Sequence, residues 1–418
     1  MAEDWLAVSP GFVLTVFVLT YVGMAIGRVP GFRVDRTGIA LVAAIVMFVA
    51  GASSGDRIVE AVDFPTLVIL FGLMILSAQF AASGFYDWVS LRVSTARGSP
   101  AVLLASTVAV AGGLSAMLAN DVVVFAMTPL LCIGLRSRGL DPRPYVIAVA
   151  GAANAGSAAT IIGNPQNIVI GQVGQLDFWA FLGVCGVPAL AGLGCVFLVV
   201  WAVWRNRLHV PGAPSEPLPS ETFDRFQLGK ALIATAVLLF LFASPVADEN
   251  GVLLVAGALL ISRKLRSRDM IGMVDWHLLV LIVSLFIVTD ALAQTGLIAL
   301  GVEQITAAGL LPDRLVTMAP LALIASNTIG NVPAVIMILS VWPEMPAGTL
   351  YALAVLTTLA GNFILIGSLA NLIVAERAAS VGVRLTFLEH ARCGVPMTLL
   401  SFAFAMLWLW VLGVLPLS

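Results

Sequence analysis

Asp121 stands beside Asn120 in the middle of an apolar stretch, and three further groups of polar residues interrupt apolar stretches in the same way. They are Asn164, Gln166 and Asn167 around Gly163 and Pro165; Ser326, Asn327, Thr328 and Asn331 with Gly330 and Pro333; and Ser368 and Asn371 after Gly367. Amide and hydroxyl side chains bring donors and acceptors without charge, while glycine and proline interrupt a helix. A broken helix exposes N–H groups with partial positive charge at one end and free carbonyls at the other. Such residues suit a small oxygen-rich solute, and the carbonyls suit a cation such as Na⁺. The chemistry is binding rather than catalysis. No paired Ser/His, Asp/Asp or His-rich set lies in the apolar stretches, so no enzyme is expected. His209, His277 and His390 lack metal-ligand spacing, and Gly229-Lys230-Ala231 is no ATP-binding loop. No cofactor or metal is expected beyond a coupling ion, H⁺ or Na⁺.

The elements that position these groups must lie in a bilayer. Of 418 residues, 60% are hydrophobic and only 11% charged, against roughly a quarter charged in soluble domains. A soluble fold of this size cannot hide so much apolar surface. The net charge of -2 gives no basic stripe for nucleic acid. Cys132, Cys185, Cys195 and Cys393 show no C-x-x-C spacing and read as small hydrophobes. Met1 to Trp5 lacks the basic start of a signal peptide, so that segment is expected to be retained.

Apolar segments fall near 10–27, 37–54, 64–83, 100–135, 145–175, 178–204, 228–246, 250–262, 274–294, 312–342, 346–375 and 393–415. A membrane helix needs about 20 residues, so 100–135 and 312–342 are too long for one span. Both have polar centres and read as re-entrant hairpins. With the amino terminus outside, ten spans and two hairpins place all but two of the 21 basic residues, Arg57 and Arg314, on the cytoplasmic side. Single crossings at either long segment would scramble that pattern.

A proline-rich polar stretch, 205–227, separates two halves that resemble each other in order. Asp63 and Gly84 match Asp275 and Gly296 at an offset of 212; Ser115 to Asn120 match Ser326 to Asn331 at 211; Gly163 to Asn167 match Gly367 to Asn371 at 204. The first half starts outside and the second inside, which makes this an inverted repeat of the kind many secondary transporters carry. The expected fold class is therefore all-α integral membrane, with about ten transmembrane helices and two re-entrant hairpins in two inverted-topology repeats. A lone Asn, Gly or Pro in a membrane helix is commonly packing or a kink. Clustering at corresponding points of two halves is not needed for packing, and it marks the substrate site. The small-residue run Gly151 to Thr160 reads as close helix packing. An acid within the membrane is costly and points to function. Asp121 can carry a proton, bind a cation or accept hydrogen bonds from the hairpin; Asp290, Asn154 and Asn362 complete the candidate ion-coupling set. No Lys or Arg lies at the four breaks, so a neutral or singly charged substrate is expected.

Ala119-Asn120-Asp121 with Thr128-Pro129, Gly163-Asn164-Pro165-Gln166-Asn167, Ser326-Asn327-Thr328 with Asn331 and Pro333, and Gly361-Asn362 leading to Gly367-Ser368 together resemble the ion transporter superfamily. That group holds arsenite permeases of the ArsB type, NhaD-type sodium/proton antiporters, citrate-metal transporters and divalent-anion/sodium symporters. The first and third motifs look most like the arsenite-permease branch. Divalent-anion symporters carry Ser-Asn-Thr in both hairpins, and Ala119-Asn120-Asp121 departs from it. The resemblance implies a homodimer with an elevator-like motion in the cell's inner (plasma) membrane. Residues 1–99 and 228–311 would form the scaffold, and 100–204 and 312–418 the moving transport domain, joined through a cytoplasmic linker at 205–227. The expected function is ion-coupled secondary transport of a small oxyanion or oxyacid such as arsenite or antimonite, coupled to protons, with a separate ATPase subunit if the protein is of the arsenite type. Alternatives are a Na⁺-coupled di- or tricarboxylate or sulfate symporter and a Na⁺/H⁺ antiporter.

Overall fold

The computed structural model describes residues 9–26, 34–96, 98–208, 223–244, 246–298, 300, 304, 311–342 and 344–417. Arg28, Arg33, Arg97 and most of the expected linker, 209–222, lie outside them. The described residues are helical and contain no strand. Phe64–Ala82, Pro100–Met117, Phe178–Trp204, Trp276–Ala293 and Phe387–Val411 are long and apolar enough to cross a membrane, and five shorter apolar helices accompany them. Large hydrophobics such as Val49, Leu190, Phe226, Phe240 and Ile261 stand exposed on outward faces, as lipid-facing helices require. The architecture is an all-α membrane fold.

Six aspartates cap helix starts. Asp35, Asp63, Asp141, Asp177, Asp224 and Asp275 each accept a hydrogen bond from an N–H of the helix that follows, satisfying donors that have no partner within the helix. Asp121 is different: it lies in the first turn of its helix and is not the cap. Gly84 and Gly296, which follow the matched spans, both adopt φ +73°, a left-handed conformation that costs glycine nothing.

Four elements carry the polar breaks. In the first hairpin, Pro100–Met117 turns at Leu118 and Ala119 into Asn120–Arg136. In the second, Leu315–Ile329 turns at Gly330 (φ 96°) into Asn331–Val341. The first broken span runs Pro142–Ser157, a 3₁₀ turn Ile161–Gly163, then Pro165–Val173. The second runs Ala347–Ala360, Leu365–Gly367, then Leu369–Ser380. Thr160 and Ile364 share extended angles (φ −133°, ψ 158° and 162°), as do Asn164 and Ser368. Gly156 packs so tightly on Gly112 that a Cβ would strike its backbone, which is how the small-residue run lets helices approach.

Three short helices, Gly55–Ala61, Phe85–Thr95 and Ser267–Gly272, were not expected from sequence. They are too short or too mixed in polarity to show as apolar segments.

Candidate functional site

The two broken spans hold each other. Asn167 Nδ2 donates to Ser157 O (3.1 Å) and Thr160 O (3.0 Å), tying the unwound carbonyls of its own break. Asn371 Nδ2 does the same with Gly361 O (2.7 Å) and Ile364 O (3.2 Å), every partner displaced by 204. The acceptor oxygens then cross over. Thr358 Oγ1 donates to Asn167 Oδ1 (3.2 Å), and Asn154 Nδ2 donates to Asn371 Oδ1 (3.0 Å). Asn164 Nδ2 reaches Thr358 Oγ1 (3.4 Å) and Ser368 Oγ reaches Asn154 Oδ1 (2.9 Å), again in matching positions. Asn167 and Asn371 are fully buried, so each unmade bond here would leave a costly orphan.

Around this clamp the helix starts converge on a cavity of about 500 Å³. Asn120 and Asp121, Pro165 and Gln166, Asn331 to Pro333, and Ser368 and Leu369 all line it, so four helix N-termini meet at one space. Asn164 and Ser368 cap two of them. The starts at Asn120 and Asn331 have no side-chain cap. Asn120 is buried, and Oδ1 of both asparagines is buried without a partner. Uncapped N–H groups and the dipole favour an anion, each N-terminus counting as about half a positive charge. A second cavity of about 730 Å³ shares Asp121, Pro165 and Asp275 and also touches Asn164, Asp87 and Arg377.

The remaining expected residues fall elsewhere. Ser326 is buried with Oγ on Thr357 O (3.4 Å), and Thr328 is exposed and bonds back to its own helix. Asn327 donates to Leu323 O and Ala360 O at 2.9 Å each, leaving Oδ1 unpartnered beside Gly367. Asn154 and Asn362 are joined at 2.8 Å inside the protein and line neither cavity. Asp290 sits near the end of Trp276–Ala293 on Gln294 and also lines neither. Thr358, Arg36, Asp275 and Arg377 were missed. Arg36 lines the first cavity and Arg377 the second, although no Lys or Arg lies at the breaks themselves. Arg36 is remote in sequence from every break, and only packing brings it near, whereas Arg377 closes the helix that Ser368 caps. The match of Asp63 to Asp275 was a usable signal for Asp275.

A family model described as citrate transporter matches residues 17–349. The chain belongs to the citrate transporter family. This is one of the groups in the superfamily that the motifs resemble. It is 27% identical to the 46 kDa membrane protein of Mycobacterium leprae, over 95% of this chain and 97% of that one. It is 29% identical to the P protein of Homo sapiens, over 90% of this chain and 57% of that longer protein. Among solved structures it resembles MtrF of Neisseria gonorrhoeae, one of a class of antimetabolite efflux pumps, at TM-score 0.61 and 14% identity over 98% of this chain and 95% of that one. It also resembles the YdaH transporter of Alcanivorax borkumensis, at TM-score 0.55 and 15% identity over 98% of both chains. The latter two show a shared fold. The family and its relatives are transporters rather than enzymes, and the chain is a multi-pass membrane transporter.

Proposed function

We propose that the protein is an ion-coupled secondary transporter of a small oxygen-rich anion, a carboxylate or an oxyanion, bound in the cavity between the two hairpin tips. The meeting of four helix N-termini, two of them uncapped, carries this reading. Such an arrangement places several oriented donors around one small volume. The family's description as citrate transporter favours a di- or tricarboxylate over an arsenite-like oxyacid. Asp121, on the wall of the same cavity, is the coupling residue: protonated, it ceases to repel the anion. Segments 100–204 and 312–418 move as one body. The crossed clamp supports this, as do the Arg143–Glu389 ion pair (2.6 Å) and the bond from Arg136 to Val381 O (2.7 Å), all of which join the two halves.

Uptake of radiolabelled citrate, succinate, sulfate and arsenite into proteoliposomes tests this, with a pH gradient, a Na⁺ gradient or neither. Accumulation of one of the anions under a pH gradient is expected. Sodium-driven accumulation that ignores pH would replace the proton with Na⁺, and failure of all four under either gradient would remove the anion reading.

A further inference from the structure

Arg36 is the first residue of the helix Arg36–Val49, directly after the capping carboxylate of Asp35. A cation at this end opposes the helix dipole, so helix stability gives no reason for it. Ion pairing gives none either. Arg36 has no carboxylate partner among the described residues, and Asp35 Oδ1 is taken by the Gly38 N–H at 2.8 Å. Its Nε donates to Met24 O at 3.0 Å, which fixes the guanidinium plane and leaves Nη1 and Nη2 without a partner among the described residues. Nη1 faces the second hairpin tip: a Cβ placed on Gly330 would lie 3.6 Å from it. The uncapped helix start at Asn331 follows, and Arg36 and Asn331 line the same cavity.

The cavity is lined by the carboxylates of Asp35, Asp121 and Asp275 as well as by Arg36, and its two hairpin tips are unequal in charge. At the first tip Asn120 is followed by Asp121, whereas at the second Asn331 is followed by Val332. One tip thus carries a carboxylate and the other faces a guanidinium. We infer that Arg36 is a substrate-binding residue whose Nη1 and Nη2 receive a carboxylate of the transported anion, between the guanidinium and the N-terminus at Asn331. A guanidinium fork suits two coplanar carboxylate oxygens better than a neutral hydroxyl. The inference rests on the anion-site reading above and adds to it a cation that lies outside both hairpins and both broken spans.

Equilibrium binding of radiolabelled citrate and succinate to the full chain in nanodiscs tests it. Arg36→Gln should raise Kd by about ten- to a hundredfold, the size expected for losing a charged hydrogen-bonded pair, and Arg36→Lys by less. The ligand-free melting temperature should stay near that of the parent, which separates lost binding from lost folding. Arg36→Cys should bind weakly, regain affinity when 2-aminoethyl methanethiosulfonate places an ammonium there, and lose it further with the sulfonate reagent. Citrate should slow that modification. If Arg36→Gln binds both acids within about twofold of the parent while Asn331→Ala loses them, Arg36 is overturned and the anion site stands. If the parent protein binds neither acid, the role of Arg36 is overturned, while the anion site itself stands or falls by the uptake of all four anions.

Discussion

Asn154 in the first half donates to Asn371 in the second at 3.0 Å, and the residues 204 positions displaced, Thr358 and Asn167, make the same contact at 3.2 Å in the opposite sense. Each break is therefore completed by a side chain from the helix that precedes the other break. Each half ties its own unwound carbonyls through its asparagine amide, whose oxygen takes its donor from the other half.

Alanine at Asn371 strands Gly361 O and removes one of two hydrogen bonds at each of Ile364 O and Asn154 Nδ2. A loss of about 1–3 kcal/mol is expected, read as a lower melting temperature in detergent together with reduced transport. A double-mutant cycle of Asn154→Ala with Asn371→Ala should show coupling of about 0.5–1.5 kcal/mol, and strict additivity would mean the contact carries no energy.

Gly163→Ala and Gly367→Ala occupy matched positions but should differ. A Cβ at Gly163 meets the backbone of Ser157, which cannot move, whereas at Gly367 it meets first the amide oxygen of Asn327, which can. Gly163→Ala should give little folded protein, and Gly367→Ala should fold with a distorted second hairpin and weaker transport. Size-exclusion profiles and uptake assays separate the two.

Asp121→Asn should abolish accumulation driven by a pH gradient, because the side chain can no longer gain and lose a proton. Binding without a gradient should survive in part, since Asn120 and the uncapped N-terminus remain. Concentrative uptake with unchanged pH dependence would make Asp121 a structural acceptor.

Single cysteines at Arg268 and Arg384 should react with a membrane-impermeant maleimide only from the cytoplasm, and one at Glu60 only from outside. Labelling of Arg384→Cys from outside would undo the hairpin topology and the opposed orientation of the halves.

Much of the architecture was written locally. Apolar length placed the chain in a bilayer, and Pro165, Gly330 and the polar groups beside them marked where helices stop, because backbone geometry depends on neighbouring residues. The ordered offsets also pointed to matching breaks, whose backbone angles at Thr160 and Ile364 agree. Other features arose only on packing. A threonine within an apolar helix is ordinary, so nothing near Thr358 announced that it would meet Asn164 and Asn167. Arg36 looked like one of many cytoplasmic basic residues, yet the fold sets it against Gly330 and Asn331. Asp290, an acid in an apolar span, is placed away from the cavity. Hydrogen bonds and charge interactions depend on distances of a few ångströms, and those distances, between residues some 200 to 300 positions apart, exist only once the helices are packed.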